Sequence, residues 1–374
     1  MHPHVCRACR GDHGQIVLDL GEQPACDYFP PAGSVGVDPV YPLRMWLCSA
    51  CGLAQLMDDP TVPEEPRSIE PAALVSQAAV AVQRMAAAGL LAPGLRVAEY
   101  GSPHGGSWLD HLVEHGLLPV PPGECADVVL DCFGLMHAAD QAAAVAERAA
   151  RLAPSGVLLI QYHALGAIVR LGQWSALRHG HYAYYSATTL TMMLARCGLT
   201  PTMAWHFDLY GGTVLLAARS SKPGGGPGKS VLSLLAAEAD SGLSAPAAFG
   251  TLQQEVSAQS RSLRHWLASQ RSAGRTVLGY GAASRAVALL HTAEVTRELL
   301  PAVVDASPAK HGLRIPGTDI PVVGPDELAT APLDAVVVFV ADLLPEARSA
   351  FGVVEASGGH WVSLDDLGAS PTAS

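Results

Sequence analysis

Cys6 and Cys9 are separated by two residues, and so are Cys48 and Cys51. In a Cys-x-x-Cys pair both thiolates can reach one ion, and two such pairs fill all four positions of a tetrahedral zinc site, leaving none for water or substrate. The spacing therefore predicts a structural zinc held by Cys6, Cys9, Cys48 and Cys51 rather than a catalytic metal or a redox pair. Cys26, Cys125, Cys132 and Cys197 are scattered among apolar residues and read as small buried hydrophobes. Two glycine turns are the next places where chemistry could occur. Residues 95–101 read as a strand that enters Gly101-Ser102-Pro103-His104-Gly105-Gly106, and a helix is predicted over 107–114. Strand, glycine turn and helix N-terminus together make a nucleotide-binding crossover. A second turn, Gly279-Tyr280-Gly281, leads into another helix, and the strand that follows ends on Asp305. That acid lies near the ~20-residue offset at which a carboxylate can hold a ribose hydroxyl. Ser284 stands where the third glycine of such a motif belongs, so this turn reads equally as a nucleotide cradle or as close packing of helix on sheet.

These residues need a scaffold of more than one domain, and 374 residues allow two or three. A hydrophobic content of 49% with only 15% charged residues excludes a disordered or fibrous chain and implies large cores. The net charge of −11, with no long Lys/Arg run, argues against nucleic acid or an acidic membrane surface and for a small-molecule partner. No stretch approaches the ~20 apolar residues of a membrane span and no leader pattern opens the chain, so a cytoplasmic enzyme with reduced thiols is expected.

Residues 1–66 combine the two knuckles with many turn formers and strand-like runs at 15–18 and 45–47, a module too small to bury much core without a metal staple. A proline- and acid-rich connection follows over 58–66. A helix over 71–89 then opens a segment, 67–220, with strands predicted at 127–131, 156–161 and 213–217 and helices at 141–152 and 188–197. The glycine-rich stretch 220–228 is the plainest linker. Helices at 231–237 and 247–271 and the second crossover place residues 221–374 in a further α/β unit. The fold class is thus α/β: a zinc module, a truncated Rossmann-like domain and a second Rossmann-like domain.

The order of these segments, together with Leu18-Asp19-Leu20-Gly21-Glu22-Gln23-Pro24, Tyr184-Tyr185-Ser186, Gly279-Tyr280-Gly281-Ala282 and Ile315-Pro316-Gly317, resembles the zinc-containing sugar C-methyltransferases of antibiotic deoxysugar pathways. Those enzymes methylate a nucleotide-linked keto-deoxysugar with S-adenosylmethionine. The resemblance implies cofactor contacts at Glu99, Gly101 and Gly105, with His104 in place of a customary acid. It also implies contacts to a substrate nucleotide at Gly279, Tyr280, Gly281, Arg285, Asp305 and Lys310. The family's Tyr-x-Glu-His motif becomes Arg178-His179-Gly180-His181, and His137 matches a family histidine at the end of the fourth strand. Between His115 and Asp127 the chain lacks the second-strand acid that grips the cofactor's ribose. The leading expectation is therefore a homolog that has given up S-adenosylmethionine. It would use His181 and His137 as acid and base beside a carbonyl, with Arg178 as the electrophilic group, in an epimerisation, isomerisation or elimination. Retained S-adenosylmethionine-dependent C-methylation, a non-catalytic partner protein and a nicotinamide dinucleotide on the second turn are the alternatives.

Overall fold

A computed structural model describes residues 4–34, 36–61, 70–103, 105–330 and 332–368. His104 and most of the proline- and acid-rich connection lie outside the described residues. The first sheet is built from β1 (Gly14–Pro24), β2 (Val40–Cys48) and β3 (Ala54–Leu56), all antiparallel. Helix α1 (Ala72–Ala87) leads into the second sheet. Its strands are β4 (Arg96–Tyr100), β5 (Leu118–Pro119), β6 (Ala126–Cys132) and β7 (Leu152–His163). α2 (Leu109–Glu114), α3 (Gln141–Ala150) and α4 (Leu165–Arg170) lie between or after them. The two-residue β8 (Ala183–Tyr184) then crosses back and pairs with β3, so the second segment donates a strand to the zinc module's sheet. α5 (Ala187–Arg196), β9 (Leu199–Phe207) and β10 (Thr213–Ser220) complete the second sheet, in spatial order β5-β4-β6-β7-β10-β9.

Beyond the glycine-rich stretch, α6 (Lys229–Asp240) does not leave for the third sheet. Val231 joins the core under β7 and β10, and Glu238 accepts hydrogen bonds from the amides of Ala187 and Thr188 at the start of α5. α7 (Gly250–Ser272) and α8 (Ser284–Thr292) flank a wholly parallel third sheet of β11 (Val277–Tyr280), β12 (Val303–Val304), β13 (Val322–Val323), β14 (Ala335–Val338) and β15 (His360–Ser363). Its spatial order is β13-β12-β11-β14-β15. No helix among the described residues is long and apolar enough to cross a membrane.

Both α/β sheets reverse their strand order beside a glycine turn. In the second, β5 lies on one side of β4 and β6 on the other; in the third, β12 and β14 flank β11. Crevices at the carboxyl ends of parallel strands open at such switch points. Here the two crevices face one another and form a single cleft.

Beside the second-sheet crevice, Asp131 is fully buried and pairs with Arg148 at 2.8 Å, and Arg148 also stacks 4.1 Å above the Tyr100 ring. Burial pushes the Asp131 carboxyl above its ordinary range despite the guanidinium. Removing one partner of a buried pair strands the other charge. Arg148→Ala is therefore expected to lower stability by about 3 kcal/mol, read as a lower urea midpoint; a midpoint unchanged from the parent contradicts this account.

Of the four isolated cysteines, Cys26 and Cys132 are buried and Cys197 is half-buried, but Cys125 is exposed. It precedes the first residue of β6 on the rim of the sheet, where the strand pattern no longer directs side chains inward.

Candidate active site and zinc centre

The two knuckles adopt one backbone pattern. Cys6 N donates to Gly11 O and Arg10 N to Cys6 O; Cys48 N donates to Leu53 O and Gly52 N to Cys48 O. Each turn closes through a residue in the left-handed region, Arg10 with φ 65° and Gly52 with φ 70°. Amides of Ala8 and Cys9 point at Cys6 Sγ, and the amide of Gly11 points at Cys9 Sγ, all at 3.4 Å. The four sulfurs lie within 4.8 Å of one another, with Cys6 to Cys51 at 3.4 Å and Cys9 to Cys48 at 3.5 Å. A tetrahedral zinc with Zn–S near ~2.3 Å needs sulfurs spaced close to these values. Cys6, Cys48 and Cys51 are buried and Cys9 half-buried, so the donor set fits a closed zinc site that fixes structure.

The zinc module reaches the cleft through β3 and β8. Leu56 N donates to Tyr182 O, Arg7 lies 4.6 Å from the centre of the Tyr182 ring, and Tyr182 N donates to Met136 O. The loop 178–182 is thereby clamped between the zinc module and the single 3-10 turn Leu135–His137. His137 and His181 meet edge to face, ring centres 4.5 Å apart. His137 Nδ1 is 3.0 Å from Gly180 O, which can only accept, so Nδ1 carries a proton and donates it there. Gly180 is itself anchored by its amide to Asp59 Oδ2 at 2.6 Å. Arg178 Nε lies 3.0 Å from His181 Nε2, and its Nη1 bonds Ser284 Oγ across the cleft. His137, His181 and Arg178, which the sequence pairs only through resemblance, thus line one wall of the cleft.

The glycine turn supplies another wall. Gly105 and Gly106 face the cleft with φ of 102° and 89°, a backbone that side-chain-bearing residues rarely adopt. Glu99 and Gly101 stand behind them: the Glu99 carboxylate accepts from Trp108 N and Ser107 Oγ, both at 2.6 Å, and so fixes the turn to the start of α2. On the other crossover, Tyr280, Gly281, Arg285, Asp305 and Lys310 reach the cleft, whereas Gly279 does not. A Cβ at Gly279 would meet the Phe339 ring at 2.6 Å, which makes it a packing glycine. Asp305 holds the turn rather than presenting a free carboxylate, its oxygens accepting from Ala282 N at 2.7 Å and Ser307 N at 2.8 Å. Lys310 is buried, donates to Ala282 O and sits over Phe29. Burial pushes the Tyr280 hydroxyl up to about 12.

Three cleft residues escape the sequence reading. His163 ends β7, where strand termini at a switch point are natural ligand positions; burial, and next the Arg285 charge, hold it well below its usual value, so it is neutral. Arg285 Nη2 is 3.2 Å from its Nδ1, which must therefore accept. Tyr210 adopts a positive φ of 55° in the turn before β10, a strained backbone of the kind found at functional sites. Glu70, just before α1, lies over the glycine turn, its Oε1 2.8 Å from where a Gly106 Cβ would be. Burial, and then the charge of Glu99, raise its carboxyl above the ordinary range.

These residues revise the expectation of a pocket stripped for S-adenosylmethionine. β5 is a two-residue remnant of the missing strand and carries no acid, but Trp108, Cys132, Phe133 and Met136 give the cleft an apolar wall and Glu70 gives it a carboxylate beside the glycines. An open glycine turn, an apolar wall and an acid fit a cationic adenosyl cofactor.

Three family profiles match in series: "Putative zinc binding domain" over residues 6–65, "Methyltransferase domain" over 74–203 and "C-methyltransferase C-terminal domain" over 208–364. C-methyltransferase NovU of Streptomyces niveus is 26% identical over 183 residues, which is 48% of this chain and 43% of that protein. The chain therefore spans a little under half the length of the curated relative it matches. Among solved structures, the 1,6-didemethyltoxoflavin-N1-methyltransferase of Burkholderia thailandensis is 16% identical, covering 41% of this chain and 80% of its own, at a TM-score of 0.31. The magnesium protoporphyrin IX methyltransferase of Synechocystis is 12% identical, covering 40% and 84%, at the same TM-score of 0.31. With its zinc module, methyltransferase segment and C-terminal segment in that order, the chain belongs to the zinc-containing C-methyltransferase family.

Proposed function

We propose that this protein is an S-adenosylmethionine-dependent C-methyltransferase of natural-product biosynthesis, acting on a small carbonyl-bearing acceptor in the cleft between the second and third sheets. The observation that carries the reading is the convergence of the glycine turn, Glu70 and the His137–His181 pair on one cleft. S-adenosylmethionine, when bound, supplies an electrophilic methyl group. Everything else falls to the chain itself. The backbone of Gly105 and Gly106 allows close approach, and Trp108 and Phe133 exclude water. Glu70 takes the place of the absent second-strand acid and balances the cofactor's positive charge. As the acceptor enters, Arg178 shifts its hydrogen bond from His181 to the acceptor's oxygen; His181, packed against His137, then uses the lone pair so released to remove the proton from the carbon next to the carbonyl, and Arg178 stabilises the enolate oxygen that develops. The family resemblance and NovU's kinship would instead give a nucleotide-linked sugar as that acceptor, a second reading that binding of thymidine diphosphate in the cleft would favour.

Calorimetric titration tests the cofactor half of the proposal directly. The wild-type protein is expected to bind S-adenosylmethionine at micromolar concentration, and Glu70→Gln to bind it roughly 10-fold to 100-fold more weakly, the loss of one charge-assisted contact. Absence of binding up to millimolar concentration in the wild type would return the reaction to proton transfer without methylation.

A further inference from the structure

The two ends of the cleft carry opposite charge. Glu70 stands at the glycine-turn end, while Arg178 and Arg285 stand where α8 begins. Among the described residues neither guanidinium has a carboxylate oxygen within 4.0 Å. Arg178 is spent on His181 and Ser284; Arg285 on His163 and the face of Tyr210, 4.8 Å from its ring centre. None of the acids near them makes a direct ion pair: Asp342 accepts from Tyr210 N, Asp305 from two backbone amides and Glu346 from Ala72 N. α8 adds to the imbalance, because its N-cap Ala283 offers no side-chain cap, its first turn holds no acid, and Ala283 and Ser284 line the cleft. Burial, followed by the neighbouring Arg178 charge, holds Arg285 down to about 10. Two adjacent, partly desolvated guanidiniums with no direct ion pair, Asp342 acting on Arg285 only through space, are unfavourable unless the ligand brings a counter-ion.

We propose that the acceptor carries a carboxylate, held by Arg178 and Arg285 together with Ser284 and the amide end of α8, close to the carbon that His181 deprotonates. The placement rests on the assignment of His181 as the base. Because Arg178 touches both His181 and Ser284, the anion lies within about one guanidinium's breadth of that base, a few ångströms. A carboxylate on or next to the carbonyl-bearing carbon meets that spacing, which makes the acceptor an oxo acid. Planar guanidiniums grip a carboxylate through paired hydrogen bonds, and the interaction grows stronger as negative charge spreads onto the neighbouring enolate.

The experiment is calorimetric titration of the full chain with malonate and acetoacetate as carboxylate probes and with inorganic phosphate and thymidine diphosphate as phosphate probes. Expected are binding of the carboxylates at millimolar concentration or tighter, and at least a 10-fold loss in both Arg178→Gln and Arg285→Gln. Arg285→Lys, which keeps the charge and loses the fork, should fall between them and wild type, and thermal melts confirm that each variant folds. S-adenosylmethionine titrated into Arg178→Gln should bind as in the wild type. Carboxylate binding without cofactor binding in the wild-type protein would leave this site standing and remove the methyltransferase assignment. Phosphate probes binding in place of the carboxylates, carboxylate binding indifferent to both substitutions, or no binding by either carboxylate overturns the proposal.

Discussion

Cys51→Ser, or chelation of the wild-type protein, is expected to remove one zinc per chain by mass spectrometry and to abolish methyl transfer, although the sulfurs lie outside the cleft. A structural zinc contributes on the order of 10 kcal/mol of apparent folding free energy in small modules, comparable to the whole net stability of a domain. The consequence reaches the chemistry because the loop 178–182 has little support of its own. It is pinned by β3 through β8, by Arg7 of the first knuckle and by Asp59, all of the zinc module. Loss of the metal should therefore release His181 while S-adenosylmethionine binding at the glycine turn declines less, so that turnover falls further than cofactor affinity. Zinc-free protein that retains full turnover would show the module to be dispensable.

His181→Gln is expected to lower kcat by ~10²–10⁴-fold, the range over which a positioned general base contributes. KM and S-adenosylmethionine affinity should change little, since the role proposed for the imidazole is proton removal and not cofactor binding. His137→Asn should fall short of that loss, because its Nδ1 is committed to Gly180 O and its ring supports His181 edge to face. The double variant should be close to His181→Gln alone if the pair acts as one unit. Unchanged pathway output with the double variant would point instead to a partner protein without catalysis of its own. His163 adds a neutral imidazole to the cleft beside Arg285.

Much of this was legible in local sequence. The four cysteines announce their metal because ligand spacing within a knuckle is a local property. Strands β4, β6 and β11 and helices α1 and α7 follow from hydrophobic period and glycine punctuation, which also depend on near neighbours. Short parallel strands such as β12 and β13, two residues each, carry too little pattern to be delimited, and β5 is invisible for the same reason. The glycine-rich stretch before α6 reads as a boundary, yet α6 packs back on the second sheet because Val231 and Glu238 find partners there.

The sequence alone determined the zinc ligands, the α/β class and the two glycine crossovers, since each is written in residues close together along the chain. Only tertiary structure decided that both crossovers open on one cleft, that Gly279 packs against Phe339 while Gly281 faces the ligand space, and that Glu70 lies over the glycine turn. The reason is physical: residues far apart in the chain share a site only once folding has brought them to one point in space. The stretch just before α1 brings Glu70 over the glycine turn from a part of the sequence that carries no motif.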